Sequence, residues 1–207
     1  MIISDSHQFL FVHVQKTGGT SIDRVLTPLL GDVRRIKEAD RHAPLGRLLE
    51  LEPALASYWT VGFVRNPWAR MLSWWRMIER FRDGAAAGNQ AHIRHLERNR
   101  FVSGVLAEHA DFESFVLHAP EKWRRLRVPQ SRYLHSPTRR ADLVGRQETL
   151  DQDMNAVLAR LGLPYEPLPR INVDLDRPSY RDVYSPAARR RVAELFEADI
   201  RAFAYEF

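Results

Sequence analysis

Short unbroken apolar runs alternate along the chain with stretches in which apolar residues recur at helical spacing. Three runs predict buried strands, at residues 9–14 (FLFVHV), 58–64 (YWTVGFV) and 142–145. Each run is followed by a stretch in which apolar residues recur at helical spacing, which predicts helices over residues 22–30, 67–81 and 150–161. Strands that alternate with helices predict an α/β fold with a parallel sheet, whose ligands bind at the carboxyl ends of the strands.

The rest of the pattern predicts shorter elements. These are a strand at residues 32–37, helices at 43–50 and 111–117, a loop at 129–134 and one final helix from Ser185 to Phe203. Asn66 followed by Pro67 is typical of a helix start, and Gly31 and Gly162 are typical of helix ends. Residues 84–100 are polar and rich in His and Arg, and we expect them to form a mobile insertion.

Composition narrows the class of protein. The 207 residues suggest a single domain over 1–207, and a hydrophobic content of 44% is that of an ordinary globular protein. A net charge of +5 suits an anionic ligand, although the arginine excess equally fits the coding composition of the source. The absence of cysteine excludes disulfides, thiolate metal sites and a cysteine nucleophile. With no signal-type start and no apolar run near the roughly 18 residues of a membrane span, we expect a cytoplasmic protein without a membrane span.

The segment after the first strand has the features of an anion-binding loop. The sequence QKTGGT leads from the strand into a helix, and adjacent Gly18 and Gly19 let the backbone approach an anion closely. The helix start adds unpaired N–H groups, Lys16 adds a charge, and Thr17, Thr20 and Ser21 add hydroxyls. A turn that needs glycine for its geometry alone is the alternative.

A nucleoside triphosphatase loop does not fit this segment. That loop has the order G-x-x-x-x-G-K-[ST], whereas Lys16 here precedes the glycines. The order argues against a kinase that uses magnesium and ATP.

A second anion-binding candidate follows the second strand. Arg65 leaves the strand end as a cation able to bind an oxyanion through two N–H groups. Asn66, Arg70 and Ser73 then share one stripe of the next helix, and we expect that stripe to face the same anion as Arg65.

These segments resemble the PAPS-dependent sulfotransferases, most closely the carbohydrate branch with the heparan and uronyl 2-O-sulfotransferases. FVHVQKTGGTSI is similar to the family's 5′-phosphosulfate loop, with Gln15 where proline is common, and GFVRNPWARMLSWW is similar to its 3′-phosphate motif. VGRQETLDQDM and the ending from residue 171 onward also resemble family segments. The resemblance covers residues 8–81 and 129–207. It leaves 82–128 unmatched, which we expect to form a helical insertion on the acceptor side or a lid.

The resemblance implies a fold, a donor and a set of site residues. The fold is a P-loop-like three-layer sandwich, with a central parallel sheet flanked by helices. The donor is PAPS (3′-phosphoadenosine 5′-phosphosulfate), and PAP is the product. Lys16 and the segment Thr17, Gly18, Gly19, Thr20 and Ser21 would hold the 5′-phosphosulfate, while Arg65 and Ser73 would hold the 3′-phosphate. Lys16 would also stabilise the leaving oxygen, so no metal is required.

His42 is the candidate general base. It lies between the two anion-binding segments, where the resemblance places a histidine that deprotonates the acceptor hydroxyl. A surface histidine beside the 43–50 helix is the alternative, and His13 on the first strand is interpreted as structural. The acceptor would be a glycan, and basic runs such as residues 124–127 would suit a carboxylated or sulfated one.

A non-catalytic polyanion-binding module on the same fold is the remaining alternative. Basic runs support it, but the chain has no recognised nucleic-acid motif, and we expect no nucleic-acid partner.

Overall fold

The computed structural model describes residues 1–165, 167–168 and 178–207. They form two compact units. Unit 1 contains Met1–Arg65 and the described residues from Gln130 to 168, and unit 2 contains Asn66–Pro129 and residues 178–207. The expectation of a single domain over 1–207 stays a prediction.

Unit 1 is built on a four-stranded sheet in the order β1-β2-β3-β4. The strands are β1 Ile2–Ser4, β2 Phe9–Val12, β3 Trp59–Val64 and β4 Leu143–Arg146. β2 pairs parallel with β3, and β3 pairs parallel with β4, in the register Val12↔Gly62 and Val64↔Arg146. The three predicted strands are therefore confirmed. The antiparallel edge strand β1 was not predicted, since a strand of three residues, two isoleucines and a serine, is too short to show a period.

Helices cover both faces of this sheet. Those of unit 1 are α1 Gly19–Leu30, α2 Leu45–Leu51, α7 Ser131–Leu134 and α8 Leu150–Leu161. α1 and α8 pack their apolar stripes against Phe9, Phe11 and Phe63. On the other face Leu134 of α7 lies so close to Gly62 that an added Cβ would meet its Cδ2 at 2.2 Å. Both faces are buried, which explains why the strands are continuous apolar runs. The layered α/β fold is confirmed.

Unit 2 is helical. Its helices are α3 Pro67–Ala86, α4 Gln90–Arg98, α5 Arg100–Glu108, α6 Phe112–Lys122, α9 Tyr180–Val183, α10 Pro186–Leu195 and α11 Glu197–Phe203. Its core is aromatic, with Trp68, Trp74, Trp75, Phe115 and Phe196 buried together. No described helix of either unit combines the length and apolar character needed to cross a membrane.

Residues 84–100 contain the end of α3 and the whole of α4, whose start Asn89 caps through the N–H groups of Ala91 and His92. The mobility that we expected there stays a prediction. Three other expectations from the sequence are wrong. Residues 32–37 form only a single bridge, from Arg34 to Ile3. The expected loop at 129–134 contains α7. The expected final helix is interrupted at Phe196.

Candidate active site

The loop between β2 and α1 is shaped by left-handed backbone on both sides of Thr17. Lys16 has φ +69° and Gly18 has φ +87°, and Gly18 is the N-cap of α1. A non-glycine residue in this region costs about 1–2 kcal/mol, so the strain at Lys16 must be offset by its surroundings. Turns of this kind direct successive N–H groups inward, and the start of α1 adds the positive end of its dipole. The backbone is thus arranged as a donor surface for an anion.

Glycine is required in this loop because neighbouring side chains touch it. A Cβ on Gly19 would lie 1.9 Å from Nε2 of His13, and one on Gly18 would lie 2.7 Å from Cδ2 of Leu150. The loop therefore rests directly on His13 below it and on the first residue of α8. Packing as well as turn geometry explains the Gly-Gly pair.

The loop's other predicted ligands differ in accessibility. Lys16 is half-buried and Thr20 is exposed, whereas Ser21 is buried. Thr17 is fully buried, and its hydroxyl donates to the Val14 carbonyl at 2.9 Å. The hydroxyl that we expected to meet an anion thus closes the loop instead, and only the backbone of Thr17 remains to face a ligand.

His42 is held in one tautomer. Its Nδ1 lies 2.9 Å from the carbonyl oxygen of His13. A carbonyl only accepts hydrogen bonds, so Nδ1 carries the proton and Nε2 keeps its lone pair. Burial lowers the pKa of His42, an effect that the bond to the His13 carbonyl partly opposes. His42 is therefore a neutral imidazole at pH 7, with the basic nitrogen that a general base needs.

His13 connects His42 to the loop. Its side chain is 6% exposed, and its ring centroid lies 4.4 Å from that of His42. Burial, and secondarily the charge of protonated His42, lowers the pKa of His13 to about 2. A neutral His13 thus supports Gly19 with its ring and His42 with its carbonyl. This placement agrees with the structural role that we expected for it.

Arg65 follows β3 at the sheet edge where the loop follows β2, because the two strands are parallel neighbours. Its backbone is held by the fully buried side chain of Gln130. Oε1 of Gln130 accepts from the Arg65 N–H at 2.9 Å, and Nε2 donates to the Arg65 carbonyl at 2.7 Å. Gln130 is a positioning residue that sequence reasoning missed, and no local pattern marks it.

The stripe on α3 in unit 2 does not serve one anion as we expected. Asn66 caps α3 through Trp68 and Ala69, and its Nδ2 donates to the Glu206 carbonyl at 2.7 Å. Arg70 is 1% exposed, donates to the Val128 carbonyl at 3.4 Å, and its guanidinium lies 5.7 Å from the Phe196 ring centroid. Both residues stabilise unit 2 itself. Ser73 is half-buried, and its role as a ligand stays a prediction.

The closing segment that resembled a family motif is described only in part. Residues 171–177 lie outside the described residues. Within the remainder, Tyr180 accepts a hydrogen bond from Asn66 at 3.3 Å, and the Tyr184 hydroxyl donates to the Trp68 carbonyl at 2.9 Å. These tyrosines secure the start of α3 inside unit 2.

Comparison with known proteins agrees with this geometry. Residues 1–206 match the sulfotransferase family. Carbohydrate sulfotransferase 14 of the zebrafish Danio rerio is 26% identical over 178 residues, which cover 79% of this chain and 48% of that protein. The chain spans about half the length of the curated relative that it matches. No solved structure gives a significant match. Since the family match covers nearly every residue, the chain belongs to the sulfotransferase family.

Proposed function

We propose that this protein transfers a sulfuryl group from PAPS to a hydroxyl of a carbohydrate. The observation that carries the proposal is the pairing of two anion-binding elements at one sheet edge. The loop with Lys16 follows β2, and Arg65 follows the adjacent parallel strand β3. The family match supports sulfuryl transfer, and the name of the zebrafish relative supports a carbohydrate acceptor.

The groups offered by these residues are hydrogen-bond donors and positive charges, which fit a donor whose polar atoms are mainly oxyanions. Lys16 and the segment Gly18–Ser21 would hold the 5′-phosphosulfate through backbone N–H groups and the ammonium. Arg65 would hold the 3′-phosphate, a role that the resemblance also gives to Ser73. Gln130 fixes the backbone of Arg65, so the guanidinium starts from a defined position.

His42 would remove the proton of the acceptor hydroxyl at Nε2, the nitrogen left basic by the Nδ1 hydrogen bond. PAPS supplies a sulfuryl group attached to a phosphate leaving group. As the acceptor oxygen bonds to sulfur, the proton passes to His42 and the electron pair of the broken bond stays on the phosphate oxygen. Lys16 would stabilise that negative charge, as cations do in phosphoryl transfer. We expect no metal requirement, because protein cations supply the charge.

A transfer assay tests this function. The protein is incubated with PAPS and a panel of glycans in the presence of EDTA, and PAP formation and glycan sulfation are measured together. We expect equal amounts of both products, and a loss of both with Lys16→Gln or Arg65→Ala. Arg47→Ala, which removes an exposed arginine of α2, should leave the rate unchanged.

A negative result would be informative in two ways. Phosphate transfer from ATP that requires magnesium would show a kinase. Unchanged rates with Lys16→Gln and Arg65→Ala would contradict the assigned donor site.

A further inference from the structure

Unit 2 contains a basic groove that the proposed donor site does not use. The groove has a volume of about 770 Å³, within the range of roughly 300–1,000 Å³ that small ligands occupy in proteins. It lies within residues 82–128, which the family match also covers. Its lining includes Arg94, Arg98, Arg100, Phe101, Trp123 and Arg125, and we call it the arginine groove.

The lining of the arginine groove has positive charges and no negative ones. Its lining includes four arginines and no carboxylate, and all four arginines are exposed. Within residues 1–165, 167–168 and 178–207, none of the four forms an ion pair with Asp or Glu. Elsewhere in unit 2, Arg82, Arg127 and Arg191 do have carboxylate partners. The groove therefore concentrates positive charge that the protein does not neutralise in the part of the chain that the structure describes.

Local helix energetics oppose this arrangement of arginines in two ways. Arg94 and Arg98 are four residues apart on α4, where like charges cost a few tenths of a kcal/mol. Arg100 is the first residue of α5, where the positive end of the helix dipole disfavours a cation. The position of Arg98 in the last turn of α4, near the negative end of the helix dipole, offsets part of the first cost. Stability of the unit alone does not explain the cluster, whereas a bound polyanion would.

The aromatic wall of the groove distinguishes between classes of polyanion. The Arg125 guanidinium lies 4.6 Å from the Phe101 ring centroid, and the Phe101 and Trp123 rings meet edge to face at 5.4 Å. The Lys122 ammonium lies 5.3 Å from the Trp123 ring centroid. Cations thus already occupy these two rings, and Phe101 is only 4% exposed. Single-stranded nucleic acids need open aromatic faces for base stacking, which this groove does not offer.

We propose that the arginine groove is a binding site for an acidic polysaccharide, which it holds through the carboxylate or sulfate groups of that chain. This inference concerns a site separate from the proposed donor site. Arg94, Arg98 and Arg100 each present a planar guanidinium that matches a carboxylate or sulfate with two N–H groups. Their exposure leaves those groups accessible to a chain lying along the groove.

The experiment is a calorimetric titration of the full chain with a heparin hexasaccharide over a range of salt concentrations, with uncharged maltohexaose for comparison. The test variant is Arg94→Gln/Arg98→Gln/Arg100→Gln. The control is Arg24→Gln/Lys37→Gln/Arg190→Gln, which removes the same charge from exposed positions outside the groove. Thermal unfolding verifies that both variants are folded.

We expect the groove variant to bind the hexasaccharide at least about tenfold more weakly, since charge-assisted hydrogen bonds are lost. A plot of the logarithm of the binding constant against the logarithm of the salt concentration should also have a shallower slope. The slope should change by roughly 0.7–0.9 for each removed cation that contacts the hexasaccharide. The control should stay within about threefold of the unsubstituted chain. Equal losses in both variants, or none in either, would overturn the proposal, as would tighter groove-dependent binding of a single-stranded oligonucleotide of equal charge.

Titration with PAP on the same samples separates this proposal from the proposed function. PAP binding with unchanged hexasaccharide affinity in the groove variant would overturn the groove and leave the donor site standing. Groove-dependent glycan binding without PAP binding would instead contradict the donor site.

Discussion

The edge of the sheet in unit 1 that carries the loop of residues 15–20, His42 and Arg65 is here called the loop edge. The loop edge and the arginine groove of unit 2 both present positive charge, but their side chains are held in opposite ways. At the loop edge, buried partners hold the functional groups: His13 beneath Gly19, the His13 carbonyl on His42, and Gln130 on Arg65. In the groove, exposed arginines extend from short helices. Group transfer depends on fixed geometry, whereas attraction of a polyanion depends on the sum of charges. Single substitutions should therefore be severe at the loop edge and mild in the groove.

The largest expected effect is at His42. We expect His42→Ala to lower the turnover rate by about 10²–10⁴-fold with little change in PAP affinity, because a general base acts only on the chemical step. His118→Ala, on the exposed surface of α6, is the matched control and should keep the rate. Normal turnover in His42→Ala would remove this residue from the mechanism.

The pH profile sharpens the same assignment. Burial lowers the pKa of His42, so the base stays neutral down to a pH below its ordinary value of about 6.5. The rate should therefore be constant near neutrality and fall only as the pH drops through that lowered pKa. The residual activity of His42→Ala should not show this fall in rate at low pH. If the fall persists in the variant, it is caused by the protonation of another residue.

The next effect is at Gly19. A Cβ there would overlap His13 at 1.9 Å, so Gly19→Ala should destabilise unit 1 by about 1–3 kcal/mol and weaken PAP binding. Gly46→Ala adds a Cβ whose nearest neighbour is 3.7 Å away, and it should leave both quantities unchanged or raise stability slightly. Thermal unfolding and PAP titration measure the pair. Equal behaviour of the two variants would mean that the loop does not depend on its contact with His13.

A smaller effect is expected at Gln130. Gln130→Ala leaves the Arg65 N–H and carbonyl without the side-chain amide that now binds both, and we expect PAP affinity to fall about tenfold. The preference for PAP over 5′-AMP should fall with it, because Arg65 is assigned to the 3′-phosphate. Gln152→Ala, exposed on α8, is the control. Lower stability with an unchanged preference would reduce Gln130 to a purely structural residue.

The smallest expected effect is that of a single substitution in the arginine groove, at Arg100. Arg100→Gln removes a cation from the start of α5 and should raise the stability of the chain by about 0.3–1 kcal/mol while it weakens heparin binding only slightly. Denaturant unfolding checks the sign. A loss of stability would show that Arg100 has a structural role.

Elements with complete local signals were predicted from the sequence. α8 has the predicted bounds of Leu150–Leu161, since its apolar stripe ends at a glycine with φ +70°. The Asn66-Pro67 start of α3 was also correct. At 84–100, polar composition masked α4, whose Asn89 cap is a stronger signal than its few apolar residues.

Residues of the candidate site could be predicted where neighbouring residues in the sequence determine the backbone geometry. They could not be predicted where contacts between residues remote in sequence determine the position of a side chain. Lys16, Gly18 and Gly19 could be assigned because a strand, a glycine turn and a helix start are adjacent in sequence. Gln130 lies 65 residues from Arg65, and nothing near it in the sequence indicates their contact. Arg70 looked like a ligand by spacing, but its place in the core of unit 2 depends on Phe196 and Val128, which are remote in sequence.

The central claim is that the loop edge binds a nucleotide through two separate phosphate sites. Calorimetric titration with PAP and with 5′-AMP, without added magnesium, tests it most directly. We expect tight PAP binding, much weaker AMP binding, and loss of that preference in Arg65→Ala. Equal binding of PAP and AMP, or no binding of either, would contradict it.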